Sequence, residues 1–313
     1  MDSEKLKVLK LFLGSSYKVS EENLFFCPKC KHHKKKLSVN IAKDKFKCWV
    51  CDYRGASISR LVRRWGDQKH IEMWSRFDTR IKVSSLRDAI LGRKEEDSQE
   101  EQKIPLPENF RSLVRKNYTI IDKMAANYLA KRGISQKQII KYKIGYCPTG
   151  EYQNRIIVPS FDVDGDVNYF VGRTYEDDWR KYKNPAVSKD IIFNELLVDW
   201  DYPVTLVEGA FDSMMADNSI ALLGSTLNKK SSIFKKILSK EPILYVALDR
   251  DAEKKSLKII KEFIAYGLEV YKVDTSSAED VSEMGADNFS QAKLYKSSQM
   301  NYNNILRQAL NNI

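Results

Sequence analysis

The hydrophobic positions along the chain change period several times, and each change predicts a different element. In MDSEKLKVLKLFLG the apolar residues are interrupted by lysines at the spacing of a short amphipathic helix. Leu37, Val39 and Ile41 alternate with polar residues, so KLSVNIAKDKFK reads as a hairpin, and the charged stretch through WGDQKHIEMWSRF reads as helical. Met124, Ala125, Tyr128 and Leu129 share one helical face over Asp122 to Lys131, which stops at Gly133. A second helix over Ser135 to Lys141 begins on a good cap residue. RIIVPSF and DVNYFVGR are short β-branched runs joined by the turn sequence DVDGD, which predicts a hairpin from Arg155. Beyond it the apolar strands VTLV, IALLG, ILYVAL and LEVYKV alternate with the helical stretches FDSMMADN, SSIFKKILSK and EKKSLKIIKEFIAYG. That alternation predicts an α/β domain with a parallel sheet and covering helices.

Gly92 to Gln102 is acidic and polar without an apolar face, and Pro105 and Pro107 follow it, so the main domain boundary is expected there. The organisation expected is 1–91, a linker over 92–107, a helical and hairpin part over 108–200, the parallel-sheet domain over 201–285 and a helical tail over 286–313. With 313 residues, 42% hydrophobic and 30% charged, the chain can bury one main core and a smaller second one. Lys and Arg number 53 against 42 Asp and Glu, a net charge of +11 that favours a polyanionic partner. The apolar runs fall far short of the roughly 20 residues of a membrane helix. Asp2 and Glu4 precede a lysine-interrupted pattern unlike a signal peptide, so a cytoplasmic protein with no membrane partner is expected.

Four of the five cysteines form two CxxC pairs, Cys27 with Cys30 and Cys48 with Cys51, separated by seventeen residues; Cys147 stands alone. In a chain without an export signal this pattern points to metal ligation rather than disulfides. The hairpin between the pairs can bring them together as a four-thiolate structural zinc site, a zinc ribbon. His32 or His33 could replace one cysteine, although adjacent histidines in a lysine run read better as solvated. Lys35, Lys47 and Arg54 surround the pairs, with Phe46, Trp49 and Tyr53 interleaved. Cations can follow a phosphate backbone while aromatic faces stack on unpaired bases, so single-stranded nucleic acid is the expected ligand. The competing reading is a solvated charged face with the aromatics, Trp49 included, packed as core.

VTLVEGAFDSM places Glu208 at the end of an apolar strand, and ILYVALDRDA does the same for Asp249 and Asp251. In an open parallel sheet, ligands gather outside the carboxyl ends of the strands, where these acids would meet. Alternation would turn Asp249 and Asp251 to one cation, with Glu208 as a third oxygen donor, a set suited to magnesium or manganese. Asp280, after the last strand, reads equally well as a further ligand or as a helix cap.

These residues together resemble the DnaG-type DNA primases of bacteria and many phages. CPKC and CWVC followed by DYRGASISRLV are similar to that family's zinc-binding domain. ANYLAKRGISQKQIIKYKIGYCP resembles the helical lead-in to its polymerase core, NRIIVPSFDVDGDVNYFVGR with KYKNP its basic hairpin, and LVEGAFDSM with ALDRDA its TOPRIM motifs. The resemblance implies a zinc ribbon, a helical and hairpin subdomain and a TOPRIM parallel-sheet domain. It implies template-directed synthesis of short RNA primers from ribonucleoside triphosphates on single-stranded DNA. Glu208, Asp249 and Asp251, with Asp280, would hold catalytic magnesium or manganese; Arg155, Arg173, Lys181 and Lys183 would contact template or nucleotide phosphates. A replicative helicase on a separate chain and a single-stranded-DNA-binding protein would be its partners.

Two departures stand out. Arg250 occupies a position where the family frequently has glycine, and the third acidic motif is reduced to Ala278-Glu279-Asp280. The tail ending NYNNILRQALNNI is shorter than the family's usual helicase-binding domain, so a phage-type primase in the host cytoplasm is expected. No GxxxxGK[ST] loop is present, so no helicase motor is assigned. A TOPRIM nuclease and a noncatalytic DNA-binding subunit of a replisome are the competing functions.

Overall fold

Alternation at Leu37 and Val39 does produce a strand, and the antiparallel sheet around it organises the N-terminal part of the chain. The computed structural model describes residues 2–55, 57–77, 102–115, 117–224 and 227–301. The larger part of the expected linker, and positions 302–313 of the expected tail, lie outside the described residues. Two compact units are present, Met1–Gly92 with Phe263–Glu269, and Arg93–Glu262 with Val270–Ile313.

In the first unit, helix α1 (Asp2–Leu13) buries Val8, Leu9 and Leu13 and ends at Gly14, whose φ of +80° suits glycine. Strands β1 (Tyr17–Val19), β2 (Glu22–Phe25), β3 (Leu37–Asn40), β4 (Lys45–Cys48) and β5 (Arg54–Gly55) pair in sequence order, each antiparallel to the next. Phe25, Leu37, Val39, Phe46 and Cys48 form the core of this sheet with Ile58, Leu61 and Val62 of α2 (Ile58–Trp65). Helix α3 (Gln68–Ser75) starts on Asp67, whose carboxylate accepts the His70 amide at 3.0 Å.

The second unit combines two sheets. Strands β6 (Arg111–Ser112), β7 (Gly145–Cys147), β8 (Arg155–Phe161) and β9 (Val167–Thr174) form an antiparallel sheet in that order. Helices α4 (Ile120–Lys131) and α5 (Gln136–Lys141) precede β7 and start with capping boxes, Thr119 with Asp122 and Ser135 with Gln138. Helix α4 begins two residues ahead of the expected Asp122, because Thr119 is the cap and Asp122 takes the third helical position. The DVDGD turn closes β8 onto β9: Asp162 Oδ1 accepts the amides of Asp164 and Asp166, and Gly165 takes φ +88°.

The second sheet runs β11 (Ser219–Ala221), β10 (Val204–Val207), β12 (Leu244–Val246), β13 (Val270–Val273), β14 (Ser297–Met300). Its first four strands are parallel, as the strand and helix alternation requires, with α6 (Ala210–Met215), α7 (Ser232–Lys240) and α8 (Glu253–Ala265) in the connections. After β13 come α9 (Val281–Met284) and α10 (Ala286–Tyr295). The expectation of a helical tail over 286–313 holds for α10 and is corrected at Ser297–Met300, where β14 pairs antiparallel with β13. An edge strand of sequence SSQM buries only Met300, so no hydrophobic alternation announced it. Val207, Ala247 and Phe211 share one buried core with Tyr146, Val158 and Tyr169 of the hairpin sheet. That common core fixes the basic hairpin against the carboxyl ends of β10 and β12.

Candidate functional site

Cys27 follows β2, Cys48 ends β4, and each opens a tight CxxC turn. The residue after each pair is left-handed, Lys31 at φ 49° and Asp52 at φ 54°, so the two knuckles repeat one backbone design. The four sulfurs lie within 4.8 Å of one another, and Sγ to Sγ is 3.8 Å for Cys27 to Cys51 and for Cys30 to Cys48. A tetrahedron with Zn–S bonds of about 2.3 Å has edges of about 3.8 Å, so the thiols are spaced for zinc. Burial pushes the Cys27 thiol well above its ordinary value, a cost that a bound divalent cation removes by holding the thiolate. His32 stays outside this cluster, its Nδ1 accepting the Lys34 amide at 3.1 Å.

The aromatics around the zinc site divide. Phe46 and Tyr53 are buried in the small core, whereas Trp49 is 66% exposed. Lys47 Nζ lies 4.8 Å from the Trp49 ring centroid, and Lys35 Nζ lies 5.3 Å from that of the exposed Phe26. Lys47 and Arg54 both reach Asp52, at 3.2 and 3.4 Å, in an exposed ion-pair cluster.

At the ends of the parallel strands, Glu208 follows β10 directly and Asp249 lies three residues beyond the end of β12. Both line a cleft of about 360 Å³ together with Asp212, Asp280, Arg132 and Arg173. Lys255 Nζ holds Glu208 Oε1 at 2.8 Å. Glu208 Oε2 and Asp249 Oδ1 are buried without a hydrogen-bond partner. Burial, then the charges of Asp212, Glu208, Asp280 and Asp251, pushes the Asp249 carboxyl up to about 7. Burial and the Asp280 charge push Asp212 up to about 6, against the opposing amides of Gly209 and Ser282 and the charge of Arg132. Carboxylates crowded to this degree, with two buried oxygens unclaimed, suit a hard divalent cation. Among the described residues, however, the cysteines alone gather three or more potential ligand atoms within 4.8 Å of one another.

Several expected residues fall elsewhere. Strand alternation does not bring Asp249 and Asp251 to one side, because β12 ends at Val246 and Asp249 caps a 3-10 turn, Arg250–Ala252. Asp251 is exposed on that turn and is absent from the lining of the cleft, although its charge still acts on Asp249. Asp280 lines the cleft and also caps α9, accepting the Glu283 amide at 2.6 Å. Arg173 points into the cleft and donates to the hydroxyls of Tyr128 and Tyr182. Arg155, expected at a phosphate, is 6% exposed; its guanidinium is committed to Asp178 at 2.7 Å and to the Arg180 carbonyl at 3.0 Å. Lys183 turns away onto Glu151 at 3.1 Å, and Lys181 is exposed.

Asp212, Arg132 and Lys189 line the cleft and were not anticipated. Asp212 accepts the amides of Gly209 and Ser282, at 2.8 and 2.9 Å. Arg132 lies 5.1 Å from the ring centroid of Phe211. The sequence signal for Asp212 is its place four residues after Glu208, in the first turn of α6. Arg132, just before Gly133, reads as an ordinary helix-terminal charge.

No protein-family model matches the chain. The DNA primase of Listeria innocua is 22% identical over 358 aligned positions, covering 93% of this chain and 56% of that protein. The chain is similar to DNA primases. The Thermotoga maritima DNA primase is also 22% identical, over 209 positions that cover 52% of this chain and 37% of that protein. The E. coli primase catalytic core matches 61% of this chain and 78% of its own length, with a TM-score of 0.50 and 18% identity. The likeness to that primase core shows the fold. The chain spans 56% and 37% of the lengths of these two curated primases.

Proposed function

We propose that this chain is a DNA primase that synthesises short RNA primers on single-stranded DNA by nucleotidyl transfer. The observation that carries the reading is the cleft at the ends of β10 and β12, where Glu208, Asp212, Asp249 and Asp280 face Arg132 and Arg173. Carboxylates suit a cation and arginines suit phosphate, so one cleft offers both partners of a nucleoside triphosphate. Glu208, Asp249 and Asp280, with the buried Asp212 beside them, would hold magnesium or manganese, and Asp251 would add negative charge from the adjoining turn. Magnesium, when bound, would neutralise the triphosphate and activate the 3′ hydroxyl that attacks the α-phosphate with loss of pyrophosphate.

The chain's own residues do the positioning. Arg173 is braced by two tyrosine hydroxyls and can meet phosphate without reorganising. Lys189 lines the same cleft and Lys181 is exposed on the neighbouring loop, so both are available to nucleotide or template phosphates. On the zinc ribbon, Lys35, Lys47, Arg54 and the exposed Trp49 would contact the single strand, cations on phosphates and the indole on a base. A replicative helicase on a separate chain and a single-stranded-DNA-binding protein are the proposed partners, in the cytoplasm and in a phage replisome of a bacterial host. Among the described residues no helix is long and apolar enough to cross a membrane.

The experiment incubates the full chain with single-stranded DNA, magnesium and four labelled ribonucleoside triphosphates. New oligoribonucleotides are expected. Shortening of the DNA without synthesis would assign the cleft to a nuclease instead, and binding with neither reaction would assign the chain to a noncatalytic subunit.

A further inference from the structure

Trp179 is 93% exposed, the most exposed of the large apolar residues that are described. It stands on a short loop whose two ends are fixed. Thr174 donates its amide to the Lys181 carbonyl at 3.1 Å and Lys183 donates to Gly172 at 2.8 Å, so the chain after the loop returns along β9. Inside the loop, Asp178 is held by the buried Arg155 at 2.7 Å and accepts the Arg180 amide at 2.8 Å, while Asn154 Nδ2 donates to Glu176 at 2.6 Å. Asp178 and Arg180, on either side of Trp179, are therefore anchored, while the indole between them is left in solvent. Three residues further on, Tyr182 lines the acidic cleft and binds Arg173.

A single exposed apolar residue is ordinary on a protein surface. An indole raised on a loop tied at several points, three residues from the cleft-lining Tyr182, is a different arrangement, because such a loop has less conformational freedom to lose on binding. Arg180 and Lys181 follow it in sequence, whereas Asp177 precedes it, so charge at the tip is mixed. Stacking, rather than electrostatic attraction, must then supply the contact. We propose that Trp179 is a stacking platform for an unpaired base of single-stranded DNA, next to the cleft and separate from the zinc ribbon. The inference rests on the single-stranded-DNA reading proposed for this chain.

The test measures binding of the full chain to a 12-nucleotide oligo(dT) across a salt series, for wild type, Trp179→Ala and Trp179→Phe. Base stacking on an aromatic is worth about 1–3 kcal/mol, so Trp179→Ala is expected to weaken binding roughly tenfold. Trp179→Phe should restore most of the affinity. The slope of log affinity against log salt should stay unchanged in both, since no phosphate contact is removed. The melting temperature should not move, because the indole packs against nothing. Wild-type binding with no loss in Trp179→Ala overturns this inference and leaves the primase reading standing. Equal losses in the alanine and phenylalanine variants, a changed salt slope, or a fall in melting temperature that accounts for the loss also overturn it. No binding by wild type at low salt overturns both readings together.

Discussion

Lys255 Nζ lies 2.8 Å from Glu208 Oε1, while Glu208 Oε2 is buried with no hydrogen-bond partner. One oxygen is fixed by the first turn of α8, and in the proposed reaction the other would be free to hold a metal ion. Glu208→Gln keeps the shape and can still accept from Lys255 through its carbonyl, but removes the charge facing the cleft. Primer synthesis should fall by roughly 100-fold or more, the scale seen when one preorganised electrostatic partner is removed. Oligo(dT) affinity and melting temperature should change little. Unaltered synthesis would remove Glu208 from the reaction.

Gly209 makes a sharper demand on the same turn. A Cβ added there would stand 2.9 Å from Asp212 Oδ2, the oxygen that accepts the Gly209 amide at 2.8 Å. Asp212 is itself buried and also holds the Ser282 amide, so it has little room to retreat. Gly209→Ala should therefore cost about 1 kcal/mol of stability, the scale of one buried hydrogen bond, and reduce synthesis by more than that loss explains. Thermal melting and a priming assay on the same preparation separate the two effects.

Much of this site could be read from the chain because it rests on short-range rules. VTLV and ILYVAL are largely apolar and are each followed directly by an acid, and CxxC spacing constrains where thiols can go. Ser135 announces its helix start through its own chemistry, whereas Thr119, the cap of α4, lies ahead of the expected bound at Asp122. What escaped depends on partners distant in sequence. Asp212 reads as a solvated helix position until the Ser282 amide, 70 residues on, is seen to bury it. Arg155 reads as a free cation in a basic hairpin until Asp178, 23 residues away, claims it. Alternation misled at Asp251, because the strand ends before the motif does.

The spacing of the four sulfurs predicts one zinc per chain. Cys48→Ser should lower zinc content and destabilise the β1–β5 sheet, in which Cys48 is fully buried. If the ribbon reads the template, initiation should suffer more than extension of a supplied primer; equal loss would count against that role. Zinc binding requires thiolates, so protons compete with the metal and retention falls as pH falls. Burial raises the Cys27 thiol, which strengthens that competition. Zinc release to a chromogenic chelator should thus be faster at pH 5.5 than at pH 7.5.

Asp122 offers a pH prediction outside both centres. Its carboxylate accepts the Thr119 amide at 2.7 Å, the Thr119 hydroxyl at 2.8 Å and the Tyr146 hydroxyl at 2.8 Å, with Arg115 at 3.3 Å. Burial alone would raise its pKa, but these donors outweigh burial and hold it below the ordinary value. A group depressed on folding contributes stability above its unfolded pKa of about 3.9, and loses that contribution as pH falls through the folded value. Asp122→Asn should cost about 2 kcal/mol near neutral pH, the scale of hydrogen bonds to a charged group. The difference in melting temperature between wild type and variant should be flat from pH 7 to about 5 and shrink below about 4. A difference that grows as the solution is acidified would show that the carboxylate is not held in its charged form.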